Sequence, residues 1–182
     1  MKKLVTLIAI LSGLALNPIK AADGGVAIVD LDAVAKELGV LEFIAVTLDN
    51  MKVAKDAELN KMQQNLQAQM NKAIKDAGDK PSEDERRKVA LTNRELETQF
   101  QQARAKAAQD IQLEKLKLIN NFRNDLKPHA LTVAKKKKLH VVLNKVMPPV
   151  YAFDDSVDIT VELTAEAKKA GLAKKAPERK TQ

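Results

Sequence analysis

The chain has 182 residues, 30% of them charged and 3% aromatic, with six Gly, six Pro, two His, no Cys and a formal net charge of +7. That is length for one domain or two, and the scarcity of Gly and Pro among many Ala, Lys, Gln and Leu points to long helices. Without Cys and with two His, a disulfide scaffold, a thiol enzyme and a zinc site built from Cys or several His are excluded; the positive charge points to an acidic partner or surface and is silent on fold.

Lys2 and Lys3 precede the apolar run Leu4–Leu16, followed by Asn17-Pro18 and the small residues Ala21-Ala22. A charged start, a short apolar core and a small-residue cleavage site make a secretory signal peptide, and the run is short for a membrane span. Residues 1–21 are therefore read as a signal cleaved after Ala21. The absence of Cys near that site excludes a lipoprotein signal.

Val26-Ala-Ile-Val-Asp-Leu31 is β-branched and reads as a short strand. Asp30 to Leu38 then reads as a short helix closed by Gly39. From Val40 the apolar residues Leu41, Ile44, Ala45, Leu48 and Met51 fall at helical spacing, although Leu41 to Leu48 alone reads equally as a strand. The stripe continues through Lys55, Leu59, Met62, Leu66, Met70, Ala73 and Ala77, at roughly the 3.5-residue spacing of a coiled coil. Gly78-Asp-Lys-Pro-Ser82 is a breaker cluster, and Ser82-Glu-Asp-Glu85 is a capping box in which the Ser hydroxyl meets the third amide and the Glu reaches back.

A second helix is expected to start there, with the stripe Val89, Leu96, Phe100, Ala103, Ala107, Ile111, Leu118, Phe122 and Leu126. Continuous from Glu83 to Lys127, it would span about 68 Å at about 1.5 Å per residue, with helical character running on past Pro128 through Leu131 and Val133. Two long helices joined by a short loop form an antiparallel hairpin. Two helices cannot enclose a compact core of their own, so residues 41–134 are expected to protrude as an arm with its tip near 78–82.

Leu139-His-Val-Val-Leu143 and Pro149-Val-Tyr-Ala-Phe153 read as two strands around a turn at Asn144 to Pro149. Asp158-Ile-Thr160 is placed to cap a last helix, Val161 to Ala170, ended by Gly171. Residues 171–182 are basic and polar and read as a disordered tail. The fold class is mainly α with a small β-sheet, α+β: a long helical hairpin inserted in a small sheet body made of residues 22–40 and 135–170. Three short strands are a weak core, and association through the sheet would cover its edges.

No catalytic constellation is present: no GxSxG, HExxH, phosphate-binding Gly-rich loop or GxGxxG. The chain is not read as an enzyme, and neither a cofactor nor a metal is expected. His129 and His140 lie far apart without a ligand pattern. Asp154, Asp155 and Asp158 lack the EF-hand spacing and its Glu, and read as a solvated loop and a helix cap. Lys135 to Lys138 carry two readings, a helix end whose lysines complement the dipole and a contact for an acidic partner such as an anionic membrane surface. Nucleic acid is not expected, since an exported protein rarely meets it and no aromatic residues interleave the lysines.

Val26-Ala-Ile-Val-Asp-Leu31, Glu58 to Lys72 (Glu-Leu-Asn-Lys-Met-Gln-Gln-Asn-Leu-Gln-Ala-Gln-Met-Asn-Lys), Leu139-His-Val-Val-Leu143, Val150-Tyr-Ala-Phe153 and Asp158-Ile-Thr160 together resemble the Skp/OmpH family of periplasmic chaperones, in order, over roughly Gly24 to Lys169. The resemblance implies a homotrimer with a β-barrel core and helical tentacles around a cavity. It also implies a periplasmic location and ATP-independent holding of unfolded outer-membrane proteins. The Pro148-Pro149 pair and the basic tail depart from the family pattern, and lipopolysaccharide contacts proposed for the family have no residue-by-residue match here. The competing reading is a structural or interaction coiled coil of the cell envelope. Under the family reading the trimer contact falls to Val26, Ile28, Val141, Leu143, Val150 and Tyr151. Met51, Met62 and Met70 offer adaptable apolar client contacts, and Lys52, Lys72, Arg86, Arg87 and Arg104 would attract acidic clients. Leu66 and Phe100 read as glue between the two arm helices.

Overall fold

The computed structural model describes residues 24–148 and 150–180. The expected signal peptide and its cleavage site lie outside the described residues. Strand β1, Val26–Val29, leads into helix α1, Leu31–Glu37. Asp30 caps α1 by accepting from the Ala33 amide at 2.9 Å, satisfying one of the orphan donors of the first turn. Gly39 takes φ +70°, the left-handed turn that glycine adopts without steric cost. Helix α2, Val40–Ala77, follows at once, so the stretch that reads equally as strand or helix is helical. Its root faces inward through Val40 and Val46 with Ile44 and Leu48 partly covered, whereas Leu41 and Ala45, expected on the stripe, are exposed.

Gly78 ends α2, and Ser82 starts α3, Glu83–Lys136. The capping box forms as expected: the Ser82 amide donates to Glu85 Oε2 at 2.6 Å, and the Glu85 amide donates to Ser82 Oγ at 3.4 Å. The hydrogen bonds from Ser82, side chain and backbone, hold the Glu85 carboxyl below its ordinary range. The five-residue connection makes α2 and α3 antiparallel neighbours, and Lys55 on α2 reaches Asp110 on α3 at 3.6 Å. Every residue of the expected α3 stripe is buried or half-buried. Helix α3 runs 54 residues, about 81 Å, nine residues beyond the expected Lys127. Pro128 lies inside it, on the exposed face. Leu126, Ala130, Val133 and Ala134 clamp the other face into the core.

Strand β2, Val141–Asn144, pairs with β1 in parallel, Val26 opposite Val141 through Val29 opposite Asn144. A parallel pair needs a crossover, and the whole arm is that crossover. The described sheet has two strands rather than three. Val150–Phe153 is not a strand in the single chain: the Val150 amide turns back to the Met147 carbonyl at 3.1 Å, Pro148 offers no donor, and the Tyr151 side chain is fully exposed. After a short turn at Asp155–Val157, helix α4 spans Thr160–Lys169. The N-cap position falls to Ile159, without a side-chain cap bond, and Asp158, one residue before it, accepts from the Thr160 amide at 2.9 Å. Ile159, just before α4, and Leu163 within it close the core against Leu38, Leu126 and Val133. Residues 172–180, part of the stretch expected to be disordered, contact α1 and α2: the Lys174 amide donates to the Leu38 carbonyl at 2.8 Å.

Candidate interaction surfaces

The six residues expected at a subunit contact gather on one side of the body. Val26 and Val141 are register partners and remain 41% and 47% exposed. Val26, Ile28, Leu143, Val150 and Tyr151 line one open hollow of about 410 Å³, together with Ala152, Phe153 and Val157. Ile28 is the exception in exposure, being buried within the protomer. Phe153 and Val157, which line the hollow, are apolar side chains that sequence reasoning missed as contacts, as are Val146 and Met147 in the turn after β2, both more than half exposed. The signal was present but masked: Val146 and Met147 sit in a turn, and Val157 sits among acids. Asn144, at the end of β2, has a buried Oδ1 without a hydrogen-bond partner among the described residues. Beyond its pairing with β1, β2 has no second neighbour in the described sheet. Among the described residues, exposed apolar side chains thus lie beside an unpaired strand edge and an orphaned acceptor.

The residues expected to touch clients are strung along the arm. Met51, Met62 and Met70 are half-buried in line with Leu59 and Leu66, so each divides its surface between α3 and solvent. They occupy the same seam as Leu66 and are not a separate face. Lys52, Lys72, Arg86, Arg87 and Arg104 are exposed. Arg87 pairs with Glu83 at 3.7 Å, and Arg86 donates to the Pro81 carbonyl at 3.2 Å. These cations are spread from root to tip and are not brought together. Sequence reasoning missed Ile74, Leu91, Leu113 and Leu116, each more than half exposed. They break the seam's period, and that break was their signal. Ile74 and Leu91 lie at one height, each nineteen residues tipward of the Lys55–Asp110 pair.

Two members of the lysine run are engaged within the chain. Lys136 pairs with Glu166 at 3.2 Å and Lys137 with Glu162 at 2.6 Å, both on α4. The hydrogen bond from Lys137 is the main reason the Glu162 carboxyl is held below its ordinary range. Burial pushes the Asp158 carboxyl up, but the hydrogen bonds from Thr160, with the Lys145 and Lys137 charges, outweigh it and hold the group low. Two of the four lysines therefore fasten α3 to α4. The hydrogen bond and charge pairing with Glu58 raise the pKa of Lys55, which stands in the seam, against an opposing burial effect, and Asp110 adds a lesser push in the same direction as Glu58. Among the described residues, no group of three His, Asp or Glu side chains is placed to hold a metal, and no helix is long and apolar enough to cross a membrane.

The family model described as Outer membrane protein (OmpH-like) matches residues 25–166. That span takes in β1, the entire arm, β2 and most of α4, and it leaves out the C-terminal segment. No curated protein gives a significant match.

Proposed function

We propose that this chain, which belongs to the OmpH-like family, works as a periplasmic holdase. In this reading three copies join through the sheet face, and their arms enclose unfolded outer-membrane proteins without nucleotide. The family is one of chaperones and not of enzymes. The observation that carries the reading is the half-finished body: an apolar hollow lined by Val26, Leu143, Val150 and Tyr151, next to a strand with a free edge. A second and a third copy would pair that edge, cover Val141, and give Tyr151 and Phe153 an apolar neighbour.

The arm suits a client that is not folded. An unfolded β-barrel protein exposes alternating apolar residues that aggregate in water. A holder must offer many weak contacts and demand no one sequence. Met51, Met62 and Met70, polarizable and half-exposed, supply such contacts, and Ile74, Leu91, Leu113 and Leu116 add apolar surface that α2 and α3 do not cover. Exposed Lys52, Lys72, Arg86, Arg87 and Arg104 speed capture of acidic clients, an effect that salt weakens. The test is light scattering of a denatured outer-membrane protein diluted into buffer without nucleotide. Stoichiometric chain lacking residues 1–21 is expected to suppress the signal at low salt, and removal of Met51 to Phe100 to abolish that suppression. Unchanged aggregation at low salt would replace this reading with that of a structural coiled coil. The half-burial of the methionines within the arm seam is the observation that favours that second reading.

A further inference from the structure

The C-terminal segment lies outside the region the family model matches, and it follows a defined path. Gly171, at φ +75°, reverses the chain after α4. The Leu172 amide bonds to the Ala167 carbonyl at 3.0 Å, and its side chain packs against the core. The Lys174 amide donates to the Leu38 carbonyl at 2.8 Å. At this crossing a Cβ on Gly39 would stand 2.5 Å from the Lys174 carbonyl oxygen, so the two backbones approach more closely than any other residue at 39 would permit. About three turns up α2, the Asn50 side-chain amide reads the tail's backbone on both sides. Its Nδ2 donates to the Glu178 carbonyl at 2.9 Å, and its Oδ1 accepts from the Lys180 amide at 2.7 Å. Arg179 pairs with Asp49 at 3.1 Å.

Asparagine is a poor residue for the interior of a helix. At position 50 its two hydrogen bonds to the tail give it a reason to be there. One ion pair accompanies these bonds: of the charges along the tail (Lys174, Lys175, Glu178, Arg179, Lys180) and the root of α2 (Glu42, Asp49, Lys52, Lys55, Asp56), Arg179 meets Asp49. The segment starts on α4, in the body, and ends on α2, in the arm. It therefore crosses the joint at Leu38–Gly39, the two-residue turn between α1 and α2.

We propose that Leu172–Lys180 is a strap that braces the arm against the body, with Asn50 as its clasp, and that unfastening it widens the arm's swing. The proposal concerns the geometry of the chain alone and stands or falls separately from holdase activity. Because the chain has no Cys, Ser156→Cys on the body and Asn65→Cys on the arm give a unique pair for nitroxide labels. The distance distribution between them is measured by double electron–electron resonance, with labelled chain diluted roughly tenfold in unlabelled chain. Three backgrounds are compared: the full chain, a chain ending at Ala173, which keeps Leu172 in the core, and Asn50→Ala, which exchanges a poor helix former for a good one. The full chain is expected to give a narrow distribution, and both altered chains one about twofold broader. Trypsin, which cuts after Lys174 and Lys175, should remove the tail about tenfold faster from Asn50→Ala than from the parent. Equal widths in all three chains would overturn the proposal, as would tail cleavage at one rate with and without Asn50. Broadening in the shortened chain alone would uphold the brace and overturn Asn50 as its clasp.

Discussion

Replacing Val141 with Asp separates folding from assembly, because the side chain is 47% exposed in a single chain and faces a register partner, Val26, that is 41% exposed. Complete burial of a valine contributes about 1.5–3 kcal/mol relative to exposure. With about half of that already realised within the protomer, Val141 has about 1 kcal/mol left to gain when another chain covers it. An aspartate at the same place keeps its water in the free protomer, so folding changes by about 1 kcal/mol or less, the scale of strand preference on a half-exposed surface. Covered by a neighbour, it becomes an uncompensated buried charge that costs about 3 kcal/mol or more. Three copies per trimer bring the loss to about 9 kcal/mol, roughly a millionfold in the association constant at about 1.4 kcal/mol per tenfold. Sedimentation equilibrium at micromolar concentration is the assay. The parent is expected as a trimer and Val141→Asp as a monomer with unchanged helical circular dichroism. Leu91→Asp, an exposed site near the arm tip, is expected to remain a trimer. A Val141→Asp chain that still forms trimers of parental strength would refute the reasoning, as would a parent that is monomeric.

Three further outcomes follow from the fold. Leu163→Ala removes a fully buried side chain from the α4 contact with the core; it should cost about 3 kcal/mol through lost transfer energy and a residual cavity, read as a lowered denaturation midpoint with an unchanged slope. Ser82→Ala removes the cap of α3 and should cost about 1 kcal/mol of local helix stability, with amide exchange fastest around Gly78–Ser82 and slowest in β1 and the core. The carboxyls of Glu85, Asp154, Asp158 and Glu162 are all held below their ordinary values. Each group binds its proton less readily folded than unfolded, so its stabilisation is complete above the unfolded pKa, about 4, and is lost as pH falls through the lower folded value. The thermal midpoint should therefore hold steady from neutral pH down to about 5 and drop below about 4; a midpoint that rises on acidification would contradict the assignment.

The helical parts were legible because their signals are local. The Ser82–Glu85 box, the Gly78 stop and the stripe from Leu59 to Leu126 need only neighbours within a few turns, and the structure bears them out. Features set by distant partners were not legible. The parallel register of Val26 with Val141 joins strands over a hundred residues apart, and nothing in either strand specifies it. Pro128 argues locally for a stop, yet Leu126, Ala130 and Val133 hold the helix together through contacts made elsewhere. Val150–Phe153 has strand composition but joins no strand among the described residues. The tail is polar and basic, which reads as disorder, and its order comes from the single amide of Asn50 and the carbonyl of Leu38. At the surfaces, the exposed arm residues Ile74, Leu91, Leu113 and Leu116 escaped because they fall between the positions of the seam.

One measurement reaches assembly and holding together. Chain lacking residues 1–21 is mixed with one unfolded outer-membrane β-barrel protein, without nucleotide, and the mass of the soluble complex is read by native mass spectrometry. The expected species holds three chains and one client, and it disappears when Val141 is replaced by Asp. A client lost to aggregates beside free single chains would contradict both the trimer and the holdase.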